Sequence, residues 1–427
     1  MNPFNLNTPA DAVKHQILVI GGGTAGLTVA AQLKKKQPDA DIAILEPSDH
    51  HYYQPAWTLV GGGTYELEDT IREEKDYIPK GTLWIQDAVE EIHPEEQLII
   101  TRDGRKLMYE YLVVAAGIQL NWNDIPGLAE SVGTKGVCSN YHWKYAPYTY
   151  EVIKNFKGGN ALFTQPATPI KCGGAPQKIM YLAEDYFRKH GVRNDTNVIF
   201  ATPGSVIFGV KEFAATLNRI IQERDIYTRF FHKLVEIRPD RKEAVYEVTN
   251  ADSGCVLVED KFSGMNLTVE GTSRVVVPFD MLHTAPPQSA PDFIRNSAIS
   301  DGSAFGGVDV DKLTLQHKKY ANVFALGDVA NTPNAKTGAA VRKQAPVVVD
   351  NLVSVMEHEK MHGSYNGYSS CPIVTGYGKM LLAEFNYDNH VDSSFFFDTT
   401  KERTSMWYLK KYFLPWMYWN RMLKGNG

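Results

Sequence analysis

The chain has 427 residues, of which 43% are hydrophobic and 22% are charged, and its formal net charge is −5. This length favours two or more domains, and the composition is that of a folded, soluble body. The acidic balance argues against a nucleic-acid partner, which would require a basic face. No stretch approaches the roughly 18–20 apolar residues of a membrane-spanning helix.

A complete dinucleotide-binding unit follows a polar N-terminal stretch. Residues 15–20 predict a buried strand, residues 27–36 a helix and residues 41–45 a second strand. The turn between the first strand and the helix reads GGGTAG, which fits the GxGxxG phosphate-binding pattern. Because the pattern lies in its full structural context, we interpret this unit as the site for the adenosine half of a dinucleotide.

Four residues of this unit are candidate cofactor ligands. Gly21 permits the tight turn, Gly23 lets the backbone approach a pyrophosphate, and Gly26 lets the helix pack closely on the strand. Glu46 ends the second strand and is expected to bind the ribose hydroxyls. The free N–H groups at the helix N-terminus would face the phosphates.

Two later motifs indicate that the dinucleotide is FAD. Residues 111–117 form an apolar strand that ends in small residues, and residues 322–328 form a short strand that ends in Gly-Asp. Both resemble segments of the flavoproteins with two dinucleotide-binding domains, in which the aspartate binds the ribityl chain. The resemblance implies that Gly117 and Asp328 contact FAD.

A second unit with the same order of elements lacks the phosphate-binding glycines. Predicted strands at residues 160–164 and 197–202 flank a predicted helix at 179–189. Prolines and Cys172 occupy the place of the glycine-rich turn, and the second strand ends without a ribose-binding acid. We therefore expect a Rossmann-like fold that does not bind NAD(P)H, so that the electrons come from another donor.

The four cysteines show no CxxC spacing, so neither a disulfide framework nor a metal site is expected. Cys172 lies beside a lysine in the turn that opens a helix, where the helix dipole and the positive charge favour a thiolate. Cys371 lies at a second junction between a turn and a strand, and both cysteines could reach the flavin. Cys138 and Cys255 lack comparable surroundings and are interpreted as structural or incidental.

Two long segments, residues 164–182 and 367–377, resemble the cysteine motifs of sulfide:quinone oxidoreductases, in the subtype that includes the mitochondrial enzyme. The similarity implies that Cys371 carries a persulfide, that Cys172 is the thiolate facing the flavin, and that two electrons pass through FAD to a membrane quinone. The implied partners are sulfide, ubiquinone or menaquinone, and a sulfane-sulfur acceptor such as sulfite, glutathione, cyanide or a second sulfide. The surroundings of Cys138 do not match the third cysteine of some bacterial members.

Three further residues are candidates near the flavin and the quinone. Residues 332–346 are expected to form a helix whose N-terminus faces the flavin pyrimidine ring. In this stretch Lys336 either balances charge on the reduced flavin or is an ordinary solvent-exposed lysine, and Gln344 is a second candidate for cofactor contact. Lys379 resembles a lysine of the family's quinone site.

The C-terminal residues 406–424 are dense in aromatic side chains, and all of their charges are positive. The longest uncharged run, 412–420, is too short to span a bilayer, and Pro415 is expected to divide the segment into two short helices. Such residues favour the lipid headgroup region, which predicts a monotopic membrane patch; a core-packing or oligomer-forming tail is the alternative. No presequence is visible in residues 1–16, so a bacterial inner membrane is the expected location, or the mitochondrial inner membrane if a presequence was removed.

These patterns predict an α/β protein with two Rossmann-like dinucleotide-binding domains and a C-terminal membrane-associating helical segment. The FAD-binding domain is expected at 1–127 and 291–360, the degenerate domain at 128–290 and the C-terminal region at 361–427. The predicted function is sulfide:quinone oxidoreduction. A type II NADH:quinone dehydrogenase and a flavoprotein that binds persulfide without turnover are the alternatives.

Overall fold

The computed structural model describes residues 11–249, 268–271 and 273–427, and Cys255 lies outside these ranges. The strands, in chain order, are β1 Val13–Ile20, β2 Ile42–Leu45, β3 His50–Tyr52, β4 Ile71–Glu73, β5 Leu83–Ile85, β6 Val89–His93, β7 Leu98–Thr101, β8 Lys106–Val114, β9 Gln119–Leu120, β10 Val137–Cys138, β11 Gly159–Thr164, β12 Thr196–Ala201, β13 Tyr227–Arg229, β14 His232–Arg238, β15 Glu243–Val248, β16 Thr268–Glu270, β17 Arg274–Pro278, β18 Met281–Thr284, β19 Gln288–Ser289, β20 Val323–Ala325, β21 Ser369–Gly376 and β22 Lys379–Phe385. The helices are α1 Thr24–Lys36, α2 Trp57–Gly61, α3 Leu128–Ser131, α4 Ala146–Asn155, α5 Ala175–Lys189, α6 Lys211–Glu223, α7 Asp292–Arg295, α8 Gly338–Met356, α9 Thr404–Tyr408 and α10 Leu414–Asn420.

The first sheet is built around the N-terminal strand. Its order is β5-β2-β1-β8-β7-β6, and β20 pairs with the end of β8. β1 is parallel to β2 and to β8, which places Ile20 level with both Leu45 and Val114. The last four residues of β1 are buried, as expected for a parallel strand covered on both faces. The loops that follow β1, β2, β8 and β20 therefore meet at one edge of the sheet.

The second sheet has the order β10-β18-β11-β12-β13, and all of its pairings are parallel. Helix α5 connects β11 to β12, so this part of the chain has the strand–helix–strand arrangement of a Rossmann-like unit. The helix begins at Ala175, four residues before the predicted start, because Pro176 is compatible with the first turn. A separate antiparallel sheet, β14-β15-β17-β16, follows this unit.

A C-terminal hairpin packs against the helix of the second unit. β21 and β22 pair antiparallel with Cys371 opposite Ala383, so Cys371 lies inside a strand and not at the predicted junction with a turn. Ile373 of β21 shares a buried cluster with Ile179 and Leu182 of α5. The strand that carries Cys371 is thereby held against the helix that follows Cys172.

The C-terminal segment contains two short α-helices, α9 and α10, as predicted, but they are divided by a π-helical turn at Leu409–Phe413 and not by Pro415. Pro415 lies in the first turn of α10, where its missing N–H is tolerated. One face of the segment, including Tyr418 and Trp419, is buried in the core of the first domain. Within the described ranges, no helix combines the length and apolar character needed to cross a bilayer.

Candidate active site

The turn after β1 has the shape that a bound dinucleotide requires. Gly21 adopts φ +96°, and a Cβ at this position would lie 2.6 Å from the carbonyl oxygen of Ala115. A Cβ on Gly26 would lie 1.8 Å from the carbonyl oxygen of Gly21. A Cβ on Gly23 would meet nothing within 4 Å, so this glycine leaves open space beside the N-terminus of α1. The turn therefore fits a pyrophosphate, as the glycine pattern predicts.

Glu46 is positioned beside this turn by two backbone donors. Its Oε2 accepts the N–H of Gly22 at 2.8 Å, and its Oε1 accepts the N–H of Ser48 at 2.8 Å. Burial raises the pKa of Glu46, and the two backbone hydrogen bonds oppose that rise. A carboxylate at the end of β2 fits the ribose hydroxyls of FAD.

Asp328 lies in the turn after β20, close to two lysines. Burial raises the pKa of Asp328, whereas the charges of Lys336 and Lys171 lower it. Burial in turn lowers the pKa of each of these lysines to about 8. Lys336 is 7% exposed, so it is a buried cation and not an ordinary surface lysine. The cluster places charges of both signs where the second FAD motif ends.

Gln344 stabilises the same turn from helix α8. Its Oε1 accepts the N–H of Gly327 at 2.9 Å, and its buried Nε2 has no hydrogen-bond partner in the part of the chain that the structure describes. Thr337 caps the helix by accepting the N–H of Ala340 at 3.2 Å. Helix α8 begins at Gly338, so it starts six residues later than the predicted helix at 332–346 and extends ten residues beyond it, to Met356. The free amide Nε2 is a donor that suits a cofactor oxygen.

Cys172 is attached through its backbone to the segment that carries Lys336. Its N–H donates to the carbonyl oxygen of Lys336 at 2.8 Å, and its carbonyl oxygen accepts the hydroxyl of Tyr141 at 3.3 Å. The residue adopts φ +53°, a left-handed conformation that non-glycine residues rarely adopt. Strained backbone of this kind is concentrated at functional sites, where the surrounding contacts hold it.

The side chains of Cys172 and Cys371 meet beside a buried lysine. Their sulfurs hydrogen-bond to each other, and Lys178 Nζ donates to Cys172 Sγ at 2.9 Å. The hydrogen bond from Cys371, supported by the charge of Lys178, holds the pKa of Cys172 well below its ordinary value despite burial. The same hydrogen bond and burial raise the pKa of Cys371 well above its ordinary value. Both shifts favour the negative charge on Cys172, the sulfur next to the Lys178 ammonium.

Gly174 allows the close approach of the second sulfur. A Cβ on Gly174 would lie 2.7 Å from Cys371 Sγ, a separation that would force one of the two groups to move. A Cβ on the preceding residue, Gly173, would meet nothing within 4 Å. The two adjacent glycines therefore have different roles, and only the second is required by the cysteine pair.

Two lysines of this site, Lys178 and Lys410, were not predicted from the sequence. Lys178 is 2% exposed and lies in the first turns of α5, within the segment that resembles the family motif, so the motif itself contained the signal. Lys410 was assigned to the membrane-facing charges, but it is 3% exposed and donates to the carbonyl oxygen of Pro55 at 2.6 Å. Burial and the charge of Lys178 lower the pKa of Lys410 to about 7, and the nearby cysteines oppose this shift. No sequence pattern identifies Lys410.

Two other candidates lie outside this cluster. Cys138 is fully buried in β10, and burial raises the pKa of its thiol to about 12, which suits a structural residue. Lys379 is exposed at the turn of the β21–β22 hairpin, where it pairs with Gly376. Its assignment to a quinone site remains a prediction.

Comparisons with known proteins identify the family of the chain. Residues 15–147 match the family described as pyridine nucleotide-disulphide oxidoreductase. The chain is 45% identical to the mitochondrial sulfide:quinone oxidoreductase of Mus musculus, over 99% of this chain and 90% of the relative. It is also 45% identical to the mitochondrial sulfide:quinone oxidoreductase of Dictyostelium discoideum, over 96% of this chain and 86% of the relative.

A solved structure shows the same fold. The sulfide:quinone oxidoreductase of the hyperthermophilic bacterium Aquifex aeolicus is 20% identical and superimposes with a TM-score of 0.77, covering 96% of this chain and 92% of that chain. The expectation of a bacterial inner membrane finds no support, because the two relatives at 45% identity are named as mitochondrial enzymes. From its identity over nearly the whole length, the chain is an FAD-dependent oxidoreductase that belongs to the sulfide:quinone oxidoreductase family.

Proposed function

We propose that Cys172 and Cys371 are the redox pair with which this chain carries out the sulfide:quinone reaction of its family. The observation that carries this proposal is the different placement of the two sulfurs, with Cys172 Sγ next to the Lys178 ammonium and Cys371 Sγ beside Gly174, which favours the thiolate on Cys172. Lys178 supports the thiolate at 2.9 Å. The two sulfurs are therefore chemically distinct, although both are cysteines.

This difference determines which sulfur hydrosulfide attacks when the pair is oxidised to a disulfide. The thiolate with the lower pKa is the better leaving group in thiol–disulfide exchange. Attack at Cys371 Sγ breaks the bond to Cys172, releases Cys172 as a thiolate next to Lys178, and forms a new S–S bond on Cys371. The product is a persulfide on Cys371.

The cycle is completed when the sulfane sulfur and the electrons leave. A nucleophile such as sulfite, glutathione, cyanide or a second sulfide takes the outer sulfur and leaves Cys371 reduced. Reforming the disulfide then releases two electrons, and bound FAD supplies a two-electron acceptor that can be reoxidised by a quinone. Gly21, Gly23 and Glu46 are the residues proposed to hold the adenosine end of that cofactor. At the same edge of the first sheet, Lys336 is the buried cation available to balance negative charge on the reduced flavin.

Anaerobic mixing of the purified holoenzyme with sulfide or with NADH tests the function. We expect sulfide to bleach the flavin absorbance, a quinone analogue to restore it, and NADH to have little effect, because Cys172 occupies the place of a phosphate-binding turn. Bleaching by NADH but not by sulfide would contradict the proposal and favour an NADH:quinone dehydrogenase. Bleaching by sulfide without reoxidation by the quinone would favour a protein that binds persulfide without turnover.

We also infer that the C-terminal segment rests on a lipid surface. Tyr408, Tyr412, Phe413 and Trp416 are 57%, 58%, 49% and 52% exposed, whereas Trp419 on the other face is buried. Exposed aromatic side chains next to lysines suit the headgroup region of a bilayer. Such a position would let a quinone pass from the lipid to the enzyme.

Co-flotation with liposomes tests this position. Replacing Phe413 and Trp416 together by serine is expected to weaken liposome binding about tenfold or more, because apolar area is removed from the contact. The matched control is Val206→Ser with Leu313→Ser, which changes two side chains that are 59% and 44% exposed elsewhere. Unchanged flotation together with a smaller particle mass would instead indicate that the segment joins two copies of the chain.

A further inference from the structure

A cavity of about 370 Å³ separates the loop before β4 from the C-terminal segment. We call it the polar cavity, since its walls include Glu66 and Asp69 from the loop, Arg72 from β4, and Lys411 from the π-helical turn. Beside it lies a more open, apolar groove of about 520 Å³, which we call the aromatic groove. Its walls include Tyr408, Leu409 and Phe413.

The polar cavity and the aromatic groove share two walls. Tyr412 and Trp416 line both of them, so the two spaces lie side by side along these side chains. One compartment is charged and the neighbouring one is apolar. A ligand that fills both must be an amphiphile with a compact polar head.

The charged side chains of the polar cavity are not paired with one another. Among the described residues, no ion pair within 4.0 Å joins Glu66 or Asp69 to Arg72 or Lys411, although the four line one space. Arg72 donates to the carbonyl oxygen of Ile71 at 2.6 Å, and its guanidinium carbon lies 5.2 Å from the ring centre of Trp419. Positive and negative groups are thus both available to a ligand that carries both charges.

We propose that the polar cavity binds the zwitterionic headgroup of a phospholipid, either phosphocholine or phosphoethanolamine, with the acyl chains in the aromatic groove. Arg72 and Lys411 are suited to the phosphate, since guanidinium and ammonium groups make charge-assisted hydrogen bonds to phosphate oxygens. Glu66 and Asp69 are suited to the ammonium group. The ring of Trp416 adds a cation–π surface of the kind that recognises choline.

Other amphiphiles use this arrangement less well. The head of a quinone is uncharged and would form no ion pair with any of the four charged groups. An anionic phospholipid would place its net negative charge beside Glu66 and Asp69. The proposal rests on the lipid contact inferred for the C-terminal segment, and it adds the identity of the lipid.

Titration of the holoenzyme with short-chain lipids below their micelle concentrations tests the site. By tryptophan fluorescence or calorimetry, we expect diheptanoylphosphatidylcholine to bind saturably, and about tenfold more tightly than diheptanoylphosphatidylglycerol or inorganic phosphate. The double variant Glu66→Gln, Asp69→Asn is expected to lose this preference, because the partner of the ammonium group is removed. The matched control Asp39→Asn, Glu90→Gln changes two exposed carboxylates elsewhere and is expected to keep it.

Three results would overturn the proposal. These are equal binding of the two lipids by the wild type, an intact preference in the Glu66→Gln, Asp69→Asn variant, and stoichiometric displacement of the choline lipid by a soluble quinone analogue. If one of these results is found and the enzyme still floats with liposomes, the headgroup site is rejected but the lipid contact of the C-terminal segment is not. If the wild type neither floats with liposomes nor binds the short-chain lipids, the headgroup site and the lipid contact are both rejected. Bleaching of the flavin by sulfide would then still test the redox function separately.

Discussion

Replacing either Cys172 or Cys371 by serine is expected to lower the rate of flavin reduction by sulfide about a thousandfold or more. Each variant removes one half of the disulfide, so hydrosulfide has no S–S bond to attack. The two losses should be similar in size and should not add in the double variant, because the pair acts as a unit. Stopped-flow absorbance of the flavin under anaerobic conditions gives the rates.

The matched control is Cys138→Ser, which changes the third described cysteine. Cys138 is fully buried in β10 and lies outside the pair, so its variant should keep the rate of sulfide oxidation even if it unfolds at a lower temperature. The FAD content of each variant shows whether the fold is intact. A Cys138→Ser variant that binds FAD but does not react with sulfide would contradict the assignment of the pair.

The position of the persulfide distinguishes the two cysteines. After a single exposure of the wild type to sulfide without an acceptor, alkylation and peptide mass analysis should find the added sulfur on Cys371. Cys172 is the group of lower pKa and should be released as the thiolate. Added sulfur on Cys172 would reverse the proposed roles.

The cofactor unit could be predicted from the sequence because its constraints are local. Gly21 and Gly26 face each other across one turn, and an added Cβ at Gly26 would clash with the oxygen of Gly21. Only the element ends differed: α1 begins at Thr24, directly after Gly23, and not at residue 27. A helix can begin before its apolar pattern becomes regular, so periodicity alone places the start too late.

The cysteine site could not be predicted in the same way. It joins the start of α5, the strand β21 and the C-terminal π-helical turn, and sequence spacing gives no distance between such remote segments. The resemblance to the family supplied the pairing of Cys172 with Cys371, but not the lysine cluster around it. Composition also failed for Lys410 and Lys411, which are adjacent in the chain, because Lys410 is buried near the cysteines while Lys411 lines the polar cavity. The average composition of a segment cannot show which of its side chains face the core and which face solvent.

Replacing Lys178 by methionine is expected to move the pH dependence of Cys172 towards that of an ordinary cysteine. In the wild type the pKa of Cys172 is well below its ordinary value, so the reactive thiolate is present at neutral pH and is lost only as the pH falls through that lowered pKa. Methionine fills a similar buried volume without the charge, which removes the cation 2.9 Å from Cys172 Sγ. The pKa should rise, and the thiolate fraction at neutral pH should fall about tenfold or more.

The rate of alkylation of Cys172 by iodoacetamide in the reduced enzyme, measured between about pH 5 and pH 10 with peptide mass mapping, follows the thiolate directly. We expect the inflection of the Lys178→Met variant at higher pH than in the wild type, and we expect Lys178→Arg to restore much of the difference because it returns a positive charge. The matched control is Lys189→Met, in the last turn of the same helix, where the side chain is 51% exposed and pairs with Asp185. An unchanged inflection in Lys178→Met would show that the hydrogen bond from Cys371 is sufficient to stabilise the thiolate.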